Sequence, residues 1–268
     1  MNRIVGGTCR SLAALALTAG LLSAQQTEQT SDFRWSERID AGRTVKVSNI
    51  NGTVTVRAGS GDRVEVTAVK RWRRGDPASV KIYAAREGAD IRICPLYEDR
   101  DDCNDNGRRS DGRRRDRNEN DDDVQVDFTV LLPRGVHVTA ATVNGPVSVT
   151  GATEDINAAT VNGDVTVESG RGRLTATTVS GTVRATVITR PAEMEFTTVN
   201  GNVIAELASN IGVDVEMTTV NGNLRTDYDI VVRNGRWNPF NLTAHVGPAG
   251  GPRMKLTTVN GNAELKKK

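Results

Sequence analysis

Between about Val136 and the C-terminus, apolar and polar residues alternate in short runs, and the runs come in pairs around one repeated phrase. Thr-Val-Asn-Gly stands at 142–145, 160–163, 198–201, 219–222 and 258–261, with Thr-Val-Ser-Gly at 178–181 and the cousin Asn-Ile-Asn-Gly at 49–52. Behind each glycine the alternation reads Val147/Val149, Val165/Val167, Val183/Ala185 and Val203/Ala205. Ahead of the phrase it reads Ile156/Ala158/Thr160, Leu174/Ala176/Thr178, Met194/Phe196/Thr198, Val215/Met217/Thr219 and Met254/Leu256/Thr258. A period of two in runs rich in Val and Thr predicts strands with one face buried. The interleaved Glu154, Asp155, Arg171, Arg173, Glu193, Asp214 and Glu216 suit the solvent face. Asn-Gly supplies positive φ without a Cβ clash, so Gly52, Gly145, Gly163, Gly181, Gly201, Gly222 and Gly261 are the expected structural corners.

Successive glycines from Gly145 to Gly222 lie 18, 18, 20 and 21 residues apart, and the last gap, to Gly261, is 39, which reads as two units with one phrase degraded. Each unit is then strand, Asn-Gly corner, strand, looser corner. Its few inward side chains cannot offset the entropy of ordering about 18 residues, so units must stack on a shared core. The pattern predicts an all-β, single-domain parallel β-solenoid (β-helix) with about 18–21 residues per coil. The alternative is an antiparallel β-meander or sandwich in which each Asn-Gly closes a two-residue hairpin. A meander has no reason to keep the same residue at the same place in every unit, and stacked coils do.

The organisation that follows is a signal peptide at 1–24, N-terminal β-strands starting the solenoid at 25–93, a charged disordered insertion at 94–123, and the main repeats at 124–268. The first segment has Arg3 and Arg10, an apolar run from Leu12 to Leu22, and small residues at Ser23 and Ala24, the layout of a cleavable secretory signal. The run is too short for a membrane-spanning helix, and the expected product is exported: periplasmic, cell-surface or secreted, and not an integral membrane protein. Lys266-Lys267-Lys268 would blunt the open edge of the last coil.

Cleavage would leave 33 basic residues against 33 acidic. A neutral chain has no global electrostatic reason to seek nucleic acid. Of the three cysteines, Cys94 and Cys103 would remain, and in an oxidising compartment they read as a loop-closing disulfide.

The early "VSNINGTVTV", the strand ending in "LLPRGVHV" and the serial "TVNGxVxV" units resemble the bacterial putative-adhesin family of β-solenoid domains. The resemblance spans nearly all of the mature chain. It implies a parallel β-helix at the cell surface or in the periplasm, acting as an adhesin-like or scaffold module, with an envelope protein or glycan as the partner class. The long charged insertion departs from the compact pattern.

Catalysis finds little purchase, and no enzyme, cofactor or metal is expected. The two histidines, His137 and His245, belong to different units, and two cannot make a three-histidine metal site. No nucleophile signature surrounds the serines. Glu168, Arg171, Arg173, Arg184, Glu193, Glu195, Glu206 and Arg225 read as a solvated face; gathered in one groove they would instead point to the alternative function, a carbohydrate-binding or carbohydrate-active β-helix. Asp102–Gly107 fits the first half of a calcium loop, but Arg113 stands where its bidentate glutamate belongs. Lys70-Arg71-Trp72-Arg73-Arg74 is the strongest basic patch, with Trp72 in line with the inward Val64, Val66 and Ala68. The Arg74-Gly75-Asp76 tripeptide and the Asn241-Leu242-Thr243 sequon read as coincidences in a bacterial-looking chain.

Overall fold

The computed structural model describes residues 29–74, 76–97, 103, 123–168, 170–229, 231–232 and 240–268. The signal segment, most of the charged insertion and the calcium-like phrase apart from Cys103 lie outside the described residues.

The fold is all-β, with two large mixed sheets of ten and eleven strands. A single turn of 3-10 helix at Pro77–Ser79 is the only helical element among the described residues. Each repeat unit, named here by its corner glycine, sends its first strand to the eleven-stranded sheet and its second to the ten-stranded one. The Gly163 unit, for example, runs Ile156–Asn162 and then Val165–Glu168. Neighbouring units pair in parallel and in register: Thr160 lies beside Thr178, Thr178 beside Thr198, and Val165 beside both Val147 and Val183.

The alternation predicts the core residue by residue. Val138, Ile156, Leu174, Met194, Met254 and Val215 follow one another across the larger sheet, each at most 1% exposed. The next inward column runs Ala140, Ala158, Ala176, Phe196, Leu256 and Met217, all at 0%. Where it widens to Phe196, the smaller sheet carries Ala205, with Ala185 beside it.

The order of units in the stack departs from the order in the chain. It runs Gly52, Gly145, Gly163, Gly181, Gly201, Gly261, Gly222. The last unit, Arg253–Asn260 with Ala263–Lys267, is inserted between the Gly201 and Gly222 units. Two expectations are corrected by this. Lys266 and Lys267 lie on a strand with a neighbour on either side, so they do not guard an open edge; the edge belongs to Leu224–Thr226. Nor do the described residues of the 39-residue gap form a second coil: Asn241–Val246 lies antiparallel against Val213–Thr218, with Val231–Val232 outside it.

The other end is closed in the same manner. Arg63–Arg71 runs antiparallel between Gln29–Arg38 and Gln125–Leu132 in one sheet, and Lys81–Glu87 hairpins onto Asp90–Leu96 in the other. Trp72 is half-buried against this end of the core, with Arg71 and Arg73 exposed. Parallel repeats thus occupy the middle; antiparallel strands cover both ends of the eleven-stranded sheet and one end of the ten-stranded sheet, whose other edge is the parallel strand Leu224–Thr226. Cys94 and Cys103 form a disulfide, Cα to Cα 6.0 Å. Asp123 is fixed to the segment just after Arg63–Arg71, its Oδ1 accepting the backbone N–H groups of Arg73 at 2.8 Å and Arg74 at 2.9 Å. Those amides hold its carboxyl below the ordinary carboxylate range.

Candidate interaction surface

The phrase Thr-Val-Asn-Gly builds a corner in which each residue stacks on its counterpart and does a separate job. Thr points inward. Thr160, Thr178, Thr198, Thr258 and Thr219 are at most 5% exposed, and a buried hydroxyl needs a partner. Each donates at 2.9 Å to the carbonyl of the glycine in the adjoining unit: Gly145, Gly163, Gly181, Gly201 and Gly261 respectively. Asn49 takes the Thr place in the first unit and keeps the job, its amide donating to the Val126 carbonyl at 2.8 Å.

Gly is required by proximity as well as by φ. A Cβ on Gly181 or Gly201 would stand 2.0 Å from the neighbouring glycine's carbonyl oxygen. Six of the seven corner glycines have φ between 116° and 155°. Gly222 does not have positive φ, and yet its Cβ would meet Gly261 O at 1.8 Å. The close approach is therefore common to all seven, and positive φ is not.

Asn lies at the surface and forms a carboxamide ladder. Asn144 Nδ2 donates to Asn51 Oδ1 and Asn162 to Asn144, both at 2.9 Å; Asn260 donates to Asn200 at 2.8 Å and Asn221 to Asn260 at 2.9 Å. Ser180 occupies the rung between Asn162 and Asn200. The residue after glycine adds a second ladder: Asp164 Oδ1 accepts Thr182 N–H at 2.8 Å, and Asn202 Oδ1 accepts Asn262 N–H at 2.9 Å.

Val points outward. Val143, Val161, Val179, Val199 and Val220 are 39, 40, 41, 37 and 56% exposed, and Ile50 and Val259, half-buried, complete the line. The result is an apolar ridge along the stack with strand spacing of ~4.8 Å. Around it charge almost vanishes. The ridge, the asparagine column, the column that begins Thr53-Pro146-Asp164 and the outward column that begins Ser48-Ala141-Ala159 contain one charged residue, Asp164, in a chain that is 25% charged.

The far corner is the opposite. There the column runs Asp90, Thr44, His137, Asp155, Arg173, Glu193, Arg253, Asp214, His245, with carboxylates and guanidinium groups alternating in sign from Asp155 to Asp214. Asp155 lies 3.3 Å from His137 Nδ1 and accepts Arg173 N–H at 2.7 Å; Arg173 pairs with Glu193 at 3.0 Å, and Asp214 with His245 Nδ1 at 2.8 Å. Both histidines thus fall on one column, although far apart in sequence. A shallow depression of about 300 Å³ at this corner is lined by His137, Asp155, Asn157, Arg173 and Thr175 among others, with Asp155 its single carboxylate and no aromatic. Glu168, Arg184, Glu206 and Arg225 lie on the other sheet, where Arg184 approaches Glu206 at 3.9 Å and Arg225 approaches Glu264 at 4.0 Å. Among the described residues no His, Cys, Asp and Glu side chains cluster as a metal site would require. Nor is any helix among them long and apolar enough to cross a membrane.

No family model matches the chain, and no curated protein does. Among solved structures, the chain is similar to a "putative cell adhesion protein" from Clostridium sporogenes at 10% identity and a TM-score of 0.49, covering 91% of this chain and 100% of that one. It is also similar to a "putative adhesin" from Bacteroides fragilis, at 10% identity and a TM-score of 0.34 over 90% of this chain and 97% of that one. A "putative adhesin" from Parabacteroides distasonis aligns at 9% identity and a TM-score of 0.24, with the same coverage.

Proposed function

We propose that the chain is an exported, non-enzymatic parallel β-solenoid that works as an adhesin-like or scaffolding surface module, with the Asn-Gly corner as its contact face. The in-register parallel pairing and the passage of each unit from one sheet to the other support the solenoid reading. The observation that carries the function is the outward valine line in its charge-poor surround. Hydrogen bonding accounts for the buried threonines and close approach for the glycines; neither requires Val to face water. Depletion of charge around apolar positions is what the centre of a contact patch has in common with other protein interfaces.

The signal-like segment and the Cys94–Cys103 disulfide support export. A non-enzymatic role is supported by the far corner, where ionisable groups pair with neighbours of opposite sign along the column. The partner classes it suits are an envelope protein or an uncharged glycan.

The test is binding of labelled mature protein to intact bacterial cells and isolated envelopes. Val161→Glu with Val199→Glu should lower binding at least tenfold while the circular dichroism spectrum and Tm stay close to wild type. Equal binding by the variant would exclude this face.

A further inference from the structure

We infer that the partner of the Asn-Gly corner is a second copy of this chain, joined antiparallel about a two-fold axis that crosses the stack at Val179. This rests on the contact-face reading above and names its occupant. A surface of one sign cannot meet its own copy without repulsion; this face carries one charge in four columns, so two copies meet without it. Its periodicity is set by the strand spacing, and an identical corner has the same spacing over its whole length.

Val179 stands on the fourth of seven units in the stack. An axis there brings Val161 against Val199 and Val143 against Val259. It also brings Asp164 opposite Asn202, whose carboxamide can donate to it. An axis along the ridge would instead set Asp164 against the side of the face occupied by Ala159, where its carboxylate has no donor. The antiparallel arrangement is the one that satisfies the lone charge.

The face is ~29 Å long for six strand spacings. At roughly 12 Å across it offers about 350 Å² per copy, against about 800 Å² in a standard interface. A single contact is accordingly weak, and adhesion between two surfaces would draw on many in parallel.

Sedimentation of the mature protein from about 5 to 500 µM spans the range in which such a contact dissociates. Wild type should shift from monomer to dimer, and Val179→Arg should raise the dissociation constant at least tenfold. Thr186→Arg, on the outer face of the ten-stranded sheet, should leave it unchanged. Cysteine pairing reads the register: oxidised Val179→Cys should cross-link to itself, and Val143→Cys should cross-link to Val259→Cys but not to itself. Self-cross-linking of Val143→Cys would overturn the antiparallel register. A wild type that stays monomeric at the highest concentration would overturn self-association, even where the glutamate variants still lose cell binding. Retained cell binding by those variants would remove the contact face itself.

Discussion

Every unit turns twice, and the two turns are built on different principles. At the Asn-Gly corner Thr, Asn and Gly recur because each makes the same contact with the adjoining unit: hydroxyl on carbonyl, carboxamide on carboxamide, glycine against glycine. At the far corner neighbours differ, because the rule there is complementarity. Asp155, Arg173, Glu193 and Arg253 alternate in sign along the column, and a stack of one repeated charge would repel. Similar neighbours suit close packing and hydrogen-bonded ladders; opposite neighbours suit a charged, solvated edge. Only the first leaves a repeat visible in the chain.

The contrast breaks most decisively at the glycine column. Gly201→Val places a β-branched side chain at φ +149°, with its Cβ 2.0 Å from Gly181 O, and should cost roughly 2–4 kcal/mol. At about 2–4 °C per kcal/mol for a chain of this size, Tm should fall by roughly 5–15 °C. Ala192→Val, at the exposed far corner, should move Tm by less than about 1 °C, as surface changes do. Comparable losses in the two variants would erase the distinction between the corners.

Next in size is the threonine column. Thr178→Val keeps the shape and removes the donor to Gly163 O, leaving a buried carbonyl short of a partner at a cost of about 1–3 kcal/mol. Thr178→Ser restores the donor and should recover most of the loss in urea unfolding. A serine variant as weak as the valine one would mean that packing by the methyl group, and not the hydroxyl, explains the recurrence of threonine.

How much of this the chain disclosed depended on the kind of contact. The alternation Leu174-Ala176-Thr178 placed three buried side chains correctly, and the phrase located the close-packed corner at all seven glycines. It assigned their role to φ, though, and Gly222 shows that the carbonyl one unit away is the common reason. The slot of the Gly261 unit was not legible. Its Thr258, Asn260 and Gly261 match those of every other unit, so they fit equally well between Gly201 and Gly222 or beyond them. Nor could Asn241–Val246 or Arg63–Arg71 be recognised as antiparallel covers, since the period of two is the same for either strand direction. The charge column stayed hidden because complementary residues do not resemble one another.

That column gives a smaller and salt-sensitive effect. Arg173→Glu puts like charges beside Asp155 and Glu193, on side chains that are largely exposed, and should cost about 0.5–1 kcal/mol. Adding Glu193→Arg should restore part of it, and at 1 M salt, where the screening length is ~3 Å, the single variant should approach wild type. Insensitivity to salt would point to a cause other than charge alternation.

The last effect is silent at neutral pH and tests where the Asn-Gly corner ends. The Tyr97 hydroxyl is buried near Asn51, beside the first glycine of the column, and that burial pushes its phenol up from 10.0 to about 12. Both folded and unfolded chains carry the neutral phenol below pH 10, so its contribution to stability is complete there. As pH rises from 10 toward 12 the unfolded chain loses the proton first, and the folded state is progressively disfavoured. Tyr97→Phe cannot ionise. Its urea midpoint should match wild type at pH 7 and decline less steeply between pH 10 and 12. Parallel declines would place the Tyr97 hydroxyl in water, and the protected interior of the corner would then begin at Asn49 and not before it.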